Sequence, residues 1–182
     1  MKTNFKEIFN RAKNIIIQPK NEWNVVAAEN KPHAEVLLGY LIWLTIIPVV
    51  CALIGWSSYF GLAVKMAIQQ AVTIIAGAYF TALIFNELAT KYGAVKNFNK
   101  AFELVAYCYT AICLSGLLLL IPGLKYLSFI FSLYGLYLMY IGLKPMMSVP
   151  DEKVNNYFIV SLLVMIGVSL ILSIIVSAVI IW

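Results

Sequence analysis

Charge is what this sequence has least of. Only 12% of its 182 residues are charged and 63% are hydrophobic, against about 25% and about 45–50% in an ordinary soluble domain. A soluble domain of this length could not bury so much apolar surface, so the composition excludes a water-soluble globular protein. The charges also cluster and leave long uncharged windows, which is typical of membrane spans. The net charge of +5 therefore bears first on topology, and we expect no nucleic-acid partner.

Residue types that bind metals or perform catalysis are also few. His33 is the only histidine, and Cys51, Cys108 and Cys113 lie in apolar runs without a CxxC pair. A zinc site needs three or four such ligands at suitable spacing, so we expect no metal, no cofactor and three buried free thiols. The sequence shows no Ser/His/Asp set and no phosphate-binding glycine loop. We therefore expect no catalytic residues and a protein that is not an enzyme.

Five uncharged windows make up most of the chain, at residues 36–56, 66–86, 104–124, 126–143 and 154–182. At about 1.5 Å per residue, most of them cover the roughly 30 Å hydrocarbon core of a bilayer. The sequence therefore predicts an all-α, multi-pass integral membrane protein with five transmembrane helices. We divide it into a cytoplasmic N-terminal segment, residues 1–33, and a five-helix transmembrane domain, residues 34–182.

The N-terminal segment has the pattern of an amphipathic helix over residues 3–18. Apolar residues recur at helical spacing there, whereas Lys6, Arg11 and Lys13 lie off the apolar stripe, and Pro19 ends the helix. Two interpretations are open. The helix either packs on other protein or lies in the headgroup region with its basic side toward anionic lipid. The lack of a soluble domain to pack against favours the interfacial helix.

A second short helix is predicted from Asn21, which can cap its first turn, to about Glu29. The tryptophan on this helix suits the membrane–water boundary, where its ring is in apolar surroundings and its N–H stays hydrated. The expected contacts with the lipid surface are therefore Lys6, Arg11, Lys13 and Trp23.

The basic residues are distributed unevenly between the two ends of the spans. With the N-terminus inside, eleven of the thirteen lie on the cytoplasmic side, and only Lys65 and Lys125 lie on the other. The positive-inside rule therefore predicts a cytoplasmic N-terminus, and the odd number of spans places Trp182 outside. The eleven are Lys2, Lys6, Arg11, Lys13, Lys20, Lys31, Lys91, Lys96, Lys100, Lys144 and Lys153.

The turn between the second and third windows carries the carboxylates nearest to those spans. Glu87 ends the second span, and Glu103 opens the third with Tyr107 four residues later on the same helical face. Together with Asn86 they form a predicted polar cluster open to the cytoplasm. The alternative is that the glutamates are separate anchors at the membrane interface, each paired with a lysine such as Lys91.

Three short motifs follow one another along the chain. They are a Pro-x-x-x-Trp segment before the first span, a glycine- and aromatic-containing turn that enters the third span, and a Tyr-x-x-x-x-Gly-Leu ending of the fourth span. The positions that carry them are Pro19, Trp23, Gly93, Phe98, Ala101, Ala106, Tyr107, Tyr137, Gly142 and Leu143. This combination resembles the bacterial branch of the Yip1 family.

The resemblance implies a five-span fold with the N-terminus inside, in the bacterial cytoplasmic (inner) membrane. It implies no established activity. Eukaryotic members of the family are linked to vesicle traffic and Rab-type GTPases, and carry an Asp-Leu-Tyr-Gly-Pro segment in a longer N-terminus. That segment is missing from this sequence, so a GTPase partner is not carried over.

Three kinds of function fit these observations. The leading hypothesis is a non-enzymatic membrane-organising or scaffolding protein that acts through helix and lipid contacts. Its partners would be the lipid bilayer, other membrane proteins or a second copy of the chain. An intramembrane enzyme ranks last, because only Glu87 and Glu103 would support it. The alternative to the leading hypothesis is a small transporter or channel subunit, which would use polar side chains within the spans: Gln69, Gln70, Thr73, Ser115 and Ser128.

Overall fold

The fold is known from a computed structural model that describes residues 5–121 and 123–180. The expectations for Lys2 and Trp182 fall outside these residues. Every regular element in the described part is helical, which confirms the predicted all-α class. The helices are α1 Phe5–Ile17, α2 Pro19–Ala28, α3 His33–Gly55, α4 Phe60–Ala89, α5 Phe98–Ser115, α6 Lys125–Met147 and α7 Asp151–Ile180.

The five longer helices, α3 to α7, correspond to the five uncharged windows. Each is long and apolar enough to cross a membrane. Helix α3 contains a π-helical stretch at Leu37–Leu41, and α5 continues as a 3₁₀ helix, Gly116–Leu120. Another 3₁₀ turn, Thr90–Tyr92, follows α4 and ends at Gly93, whose φ of 67° favours glycine.

The boundary between the two N-terminal helices differs in detail from the prediction. Helix α1 does stop just before Pro19, but α2 begins at that proline and not at the predicted cap, Asn21. The physical reason is that proline fits the first turn of a helix, where its missing N–H would have had no partner and its φ is already helical. Pro19 therefore ends one helix and starts the next.

The five long helices run alternately up and down, so their linkers gather at two ends. At one end the His33 backbone N–H donates to Asn99 Oδ1 over 2.9 Å, and the Val95 N–H donates to the Met147 carbonyl over 2.9 Å. We call this the charged end. At the opposite end, the far end, Gly116 packs directly against Pro48 of α3.

Helix α5 is the centre of the bundle. Every residue from 101 to 111 is buried, because α3, α4 and α6 surround it and the two N-terminal helices cover its remaining side. The apolar core is continuous across the predicted boundary at residues 33 and 34, since Ile15, Trp23 and Val26 belong to the same buried cluster as Leu104. The N-terminal helices are thus packed on the bundle.

Trp23 is the side chain that fastens α2 to the bundle. It is fully buried, and its ring lies over Gly142 of α6 and edge-on to Tyr107 of α5, with ring centroids 6.3 Å apart. The expected contact of Trp23 with lipid is therefore wrong, because α6 offers a glycine-sized depression that holds the indole away from the membrane. A Cβ placed on Gly142 would lie 2.7 Å from both Trp23 and Leu104.

Replacing Gly142 with alanine should therefore destabilise the protein. The added methyl group overlaps the rigid indole, and overpacking of this kind costs about 1–3 kcal/mol. The matched control is Gly167→Ala in α7, where an added Cβ meets nothing within 4 Å, so its thermal stability should match or exceed wild type. Thermal unfolding in detergent measures both. Equal midpoints for the two variants would contradict this packing.

Candidate functional site

Arg11 is the centre of a charged cluster between the N-terminal helices and the bundle. Its Nη1 donates to Glu22 Oε1 over 2.5 Å, and its Nη2 donates to Glu29 Oε1. The guanidinium also lies over the Tyr107 ring, 5.8 Å from its centroid. Arginine suits this position, because its planar group binds two carboxylates and stacks on an aromatic face at once. One side chain of α1 thus holds both ends of α2.

The charges in this cluster stabilise one another. Burial alone would lower the pKa of Arg11, but Tyr107 and the carboxylates of Glu29 and Glu22 outweigh it and raise that pKa above its ordinary value. Burial alone would raise the pKa of Glu29, but hydrogen bonds and charge attraction from Lys31 and Arg11 hold it below its ordinary value. Lys31 Nζ lies 2.9 Å from Glu29 Oε2. Both groups are therefore charged at neutral pH.

Lys100, in the first turn of α5, fixes the end of α2. Its ammonium donates to the carbonyls of Val26 over 3.2 Å, Ala27 over 2.9 Å and Glu29. The last carbonyls of a helix have no partner within it, and they form the negative end of its dipole. The same ammonium lies 3.3 Å from Glu103 Oε2, a carboxylate that is fully buried. Lys100 therefore serves as a helix cap and as a counter-ion.

An open cleft of ≈ 600 Å³ lies beside this cluster, between α1, α2 and the first turns of α3. Tyr40 and Tyr107 line it, and the Tyr40 hydroxyl lies 2.8 Å from Thr110 Oγ1. Its acidic lining residues outnumber its basic ones. The acids are Glu7, Glu22, Glu29 and Glu35, and the bases are Arg11 and Lys31. The cleft can therefore accommodate polar or cationic groups but offers little to an anion.

The structure does not bring the four residues of the predicted polar cluster together. Glu103 and Tyr107 lie on the buried side of α5, near Lys100 and Arg11. Glu87 is exposed and pairs with Lys96 over 2.7 Å, and Asn86 is buried in α4. The Glu87 side chain is 65% exposed, whereas the Glu103 side chain has no exposed surface. The separation arises because each glutamate has a lysine of its own on the turn or on α5.

The residues expected at the lipid surface are also divided. Lys6 and Lys13 are exposed on α1. Arg11 points the other way, into its two ion pairs with Glu22 and Glu29. The cause lies in α2, because Glu22 in its first turn and Glu29 directly after its last residue both pair with Arg11. The expectation for Arg11 is corrected accordingly.

Two acids of this cluster, Glu22 and Glu29, had no part in the predicted polar cluster. The spacing of the two acids was visible, but the sequence does not show that α2 folds back toward α1. Among residues 5–121 and 123–180, no group of three His, Cys, Asp or Glu side chains is placed so that it could bind a metal ion.

An all-helical chain with five helices able to cross a bilayer has the fold of a membrane protein. Comparison with models of protein families matches the Yip1 domain over residues 13–179. The chain belongs to the Yip1 family, and this confirms the resemblance. No significant match was found among curated proteins or among solved structures. Three of the family-like positions, Trp23, Tyr107 and Gly142, meet where α2 is fastened to the bundle.

Replacing Lys100 with methionine should destabilise the protein strongly. Methionine keeps most of the volume but removes the counter-ion of the buried Glu103 and the donor to three carbonyls at the end of α2, and the loss of one partner of a buried pair costs about 3–5 kcal/mol. The control is Lys96→Met, whose exposed pair with Glu87 contributes about 0–1 kcal/mol. Thermal unfolding in detergent compares them. Adding Glu103→Leu should restore much of the loss, and equal effects at both lysines would refute the assigned role of Lys100.

Acidification should loosen the N-terminal helices through Glu29. A carboxyl whose pKa is lower in the folded state stabilises the fold above its unfolded pKa, here about 4.5. That contribution is lost as the pH falls through the folded pKa. Melting temperatures recorded from pH 7 to pH 3 should therefore fall more steeply for wild type than for Glu29→Gln. Glu87→Gln, which removes an exposed pair, should keep the wild-type profile. Parallel profiles for wild type and Glu29→Gln would contradict this.

Proposed function

We propose that this protein is a non-enzymatic membrane-organising protein that acts on the bilayer through its N-terminal helix pair and its uneven apolar surface. The observation that carries the proposal is the position of α1. This helix lies across the side of the bundle and contacts α3, α5 and α6 there.

Helix α1 has an apolar face wider than its contact with the bundle. Ala12 and Ile15 are buried inward, whereas Phe5 and Phe9 remain 62% and 67% exposed. Lys6 and Lys13 neighbour these aromatic rings on the helix surface. Exposed aromatics beside lysines suit the boundary between headgroups and acyl chains, where the rings enter the apolar layer and the ammonium groups reach the phosphates.

The depth of α1 along the bundle is set by three contacts. Phe5 meets Trp43 of α3 edge-on at 4.8 Å, Arg11 lies over Tyr107 of α5, and the Tyr134 hydroxyl of α6 donates to the Ile16 carbonyl over 2.7 Å. From Tyr107 to the end of the α5 span is eleven residues, or about 17 Å at ~1.5 Å per residue. That is well short of the roughly 30 Å of a bilayer core.

The exposed apolar surface on the opposite side of the bundle is much longer. Helix α7 exposes apolar side chains from residue 159 to residue 179, about 30 Å at ~1.5 Å per residue. The exposed ones include Leu163, Leu170, Ile174 and Val179. A bilayer that covers both sides has to be thinner at α1 than at α7, and membranes adapt to such a mismatch by local thinning or bending.

This proposal includes the topology and the location expected from the sequence. The charged end faces the cytoplasm of a bacterial inner membrane, because eleven of thirteen basic residues lie on that side. With the C-terminus outside, α1 acts on the cytoplasmic leaflet. The catalytic hypothesis loses its motivation, since it depended on Glu87 and Glu103 lying together.

The depth of α1 can be measured by spin labelling in vesicles. The native cysteines are buried, and after they are replaced by alanine a label is placed at Phe9→Cys. The matched control is Asn14→Cys, on the same helix, exposed and lining the cleft. Power saturation should show the label at 9 accessible to oxygen, which concentrates in lipid, and the label at 14 accessible to a water-soluble nickel complex.

The same labels test the proposed thinning. In vesicles whose lipids have longer acyl chains, the mismatch grows, so the label at 9 should report a greater depth of burial. Two labels that are equally accessible to the nickel complex in every lipid would overturn the proposed function.

A further inference from the structure

Two adjoining cavities lie in the far half of the bundle, away from the charged cleft. Each has a volume of ≈ 440 Å³, and the two share the walls formed by Pro48, Gln70, Thr73 and Gly116. One of them, which we call the amide cavity, adds Gln69 and Ser173 to these walls. The other, the aliphatic cavity, is lined largely by Ile74, Ile112, Met165, Ile166 and Leu170.

Two side chains that line the amide cavity, Gln69 and Thr73, have oxygens that the protein leaves without a hydrogen-bond partner. Gln69 Nε2 donates to Ser177 Oγ over 3.2 Å, which fixes the amide. Its Oε1 atom is buried without a partner, and so is Thr73 Oγ1. A buried acceptor without a donor costs free energy, because it has lost its hydrogen bonds to water. A ligand that donates hydrogen bonds to Gln69 and Thr73 would recover this cost.

The lining also determines the charge of such a ligand. None of the described residues that line either cavity is charged. An ion that moved from water to this position would find no opposite charge nearby. Such a transfer is unfavourable in surroundings of low dielectric constant. The cavity pair therefore suits an uncharged ligand whose donors are hydroxyl groups.

The aliphatic cavity shows from which side the ligand enters. Ile166 and Leu170, on its wall, are 47% and 59% exposed on the outer surface of α7. In a bilayer that surface faces acyl chains and not water. A ligand that enters from there carries an apolar chain as well as its hydroxyl groups.

We propose that the two cavities bind a neutral glycerolipid, a molecule with a hydroxylated glycerol head and an acyl chain. The glycerol hydroxyls donate to Gln69 Oε1 and Thr73 Oγ1 in the amide cavity, and the chain occupies the aliphatic cavity. Five polar residues singled out in the sequence, Gln69, Gln70, Thr73, Ser115 and Ser128, line these cavities. The proposal is independent of the proposed function, which concerns α1 and the charged end.

Titration of the full-length protein, followed by native mass spectrometry, tests this site. The probes are monoolein, which has two free hydroxyls, and methyl oleate, which has the same chain and no hydroxyl donor. Glycerol at millimolar concentration is the third probe. Wild-type protein should bind one monoolein at least tenfold more tightly than methyl oleate and should show no glycerol adduct.

The double variant Gln69→Met, Thr73→Val tests whether these two residues recognise the glycerol head group. It removes both unsatisfied acceptors at nearly constant volume. It should bind monoolein about tenfold more weakly, the fold-change that corresponds to about 1.4 kcal/mol for two net hydrogen bonds. It should also unfold at the same or a higher temperature. The control is Thr90→Val, on the exposed turn after α4, which should bind as wild type does.

Several results would overturn the site, and they do not depend on the variant folding. Equal binding of monoolein and methyl oleate by wild type would show that the cavities accept only an apolar chain. Glycerol adducts as abundant as those of monoolein would point to a free polyol as the ligand. Unchanged monoolein binding in the double variant would show that Gln69 and Thr73 take no part.

Discussion

The contact of the Trp23 ring with Gly142 is the constraint on which the arrangement of the N-terminal segment depends. Because Gly142 has no Cβ, the indole can reach van der Waals contact with α6 and lie edge-on to Tyr107. Once the ring is seated, α2 lies against the bundle, and its acids at positions 22 and 29 face α1. The ion pairs of Arg11 then fix α1 at a set depth. Packing thus determines where the charges lie, and the charges determine how the second helix is held.

The charged groups here are stabilised by different means according to their burial. Arg11 and Glu29 retain partial exposure beside an open cleft, so water shares in their solvation. Glu103 has no exposed surface and depends on Lys100. Lys100 in turn is held by three backbone carbonyls at the end of α2. Removal of α2 would therefore take away the partners that keep Lys100 beside Glu103. In this way the docking of a short helix is coupled to the electrostatics of the central helix.

Much of the fold could be predicted from the sequence, because hydrophobic windows and helix length are local properties. The five long helices, the break at Pro19 and the family all follow from short stretches of chain. The candidate site could not, because it is formed by residues from α1, α2 and α5 that are distant in sequence. Arg11 illustrates the difference between local and tertiary information. The sequence shows its helix and its position off the apolar stripe. Whether its side chain faces lipid or carboxylates depends on where α2 packs. Trp23 was misplaced for the same reason, since a glycine far along the chain provides its binding surface.

The two halves of the bundle solve the problem of polar groups in a membrane protein in different ways. At the charged end, carboxylates and basic side chains neutralise one another beneath the N-terminal helices. Around the two cavities of the far half the polar groups are amides and hydroxyls, which can remain uncharged in lipid. Among these, Gln69 and Thr73 still have buried oxygens without donors, a condition that stable membrane helices avoid where they can. Thr73 also lines the adjoining cavity, whose wall includes the exposed Ile166 and Leu170 of α7, so a donor carried on an apolar chain is the partner we propose for these oxygens.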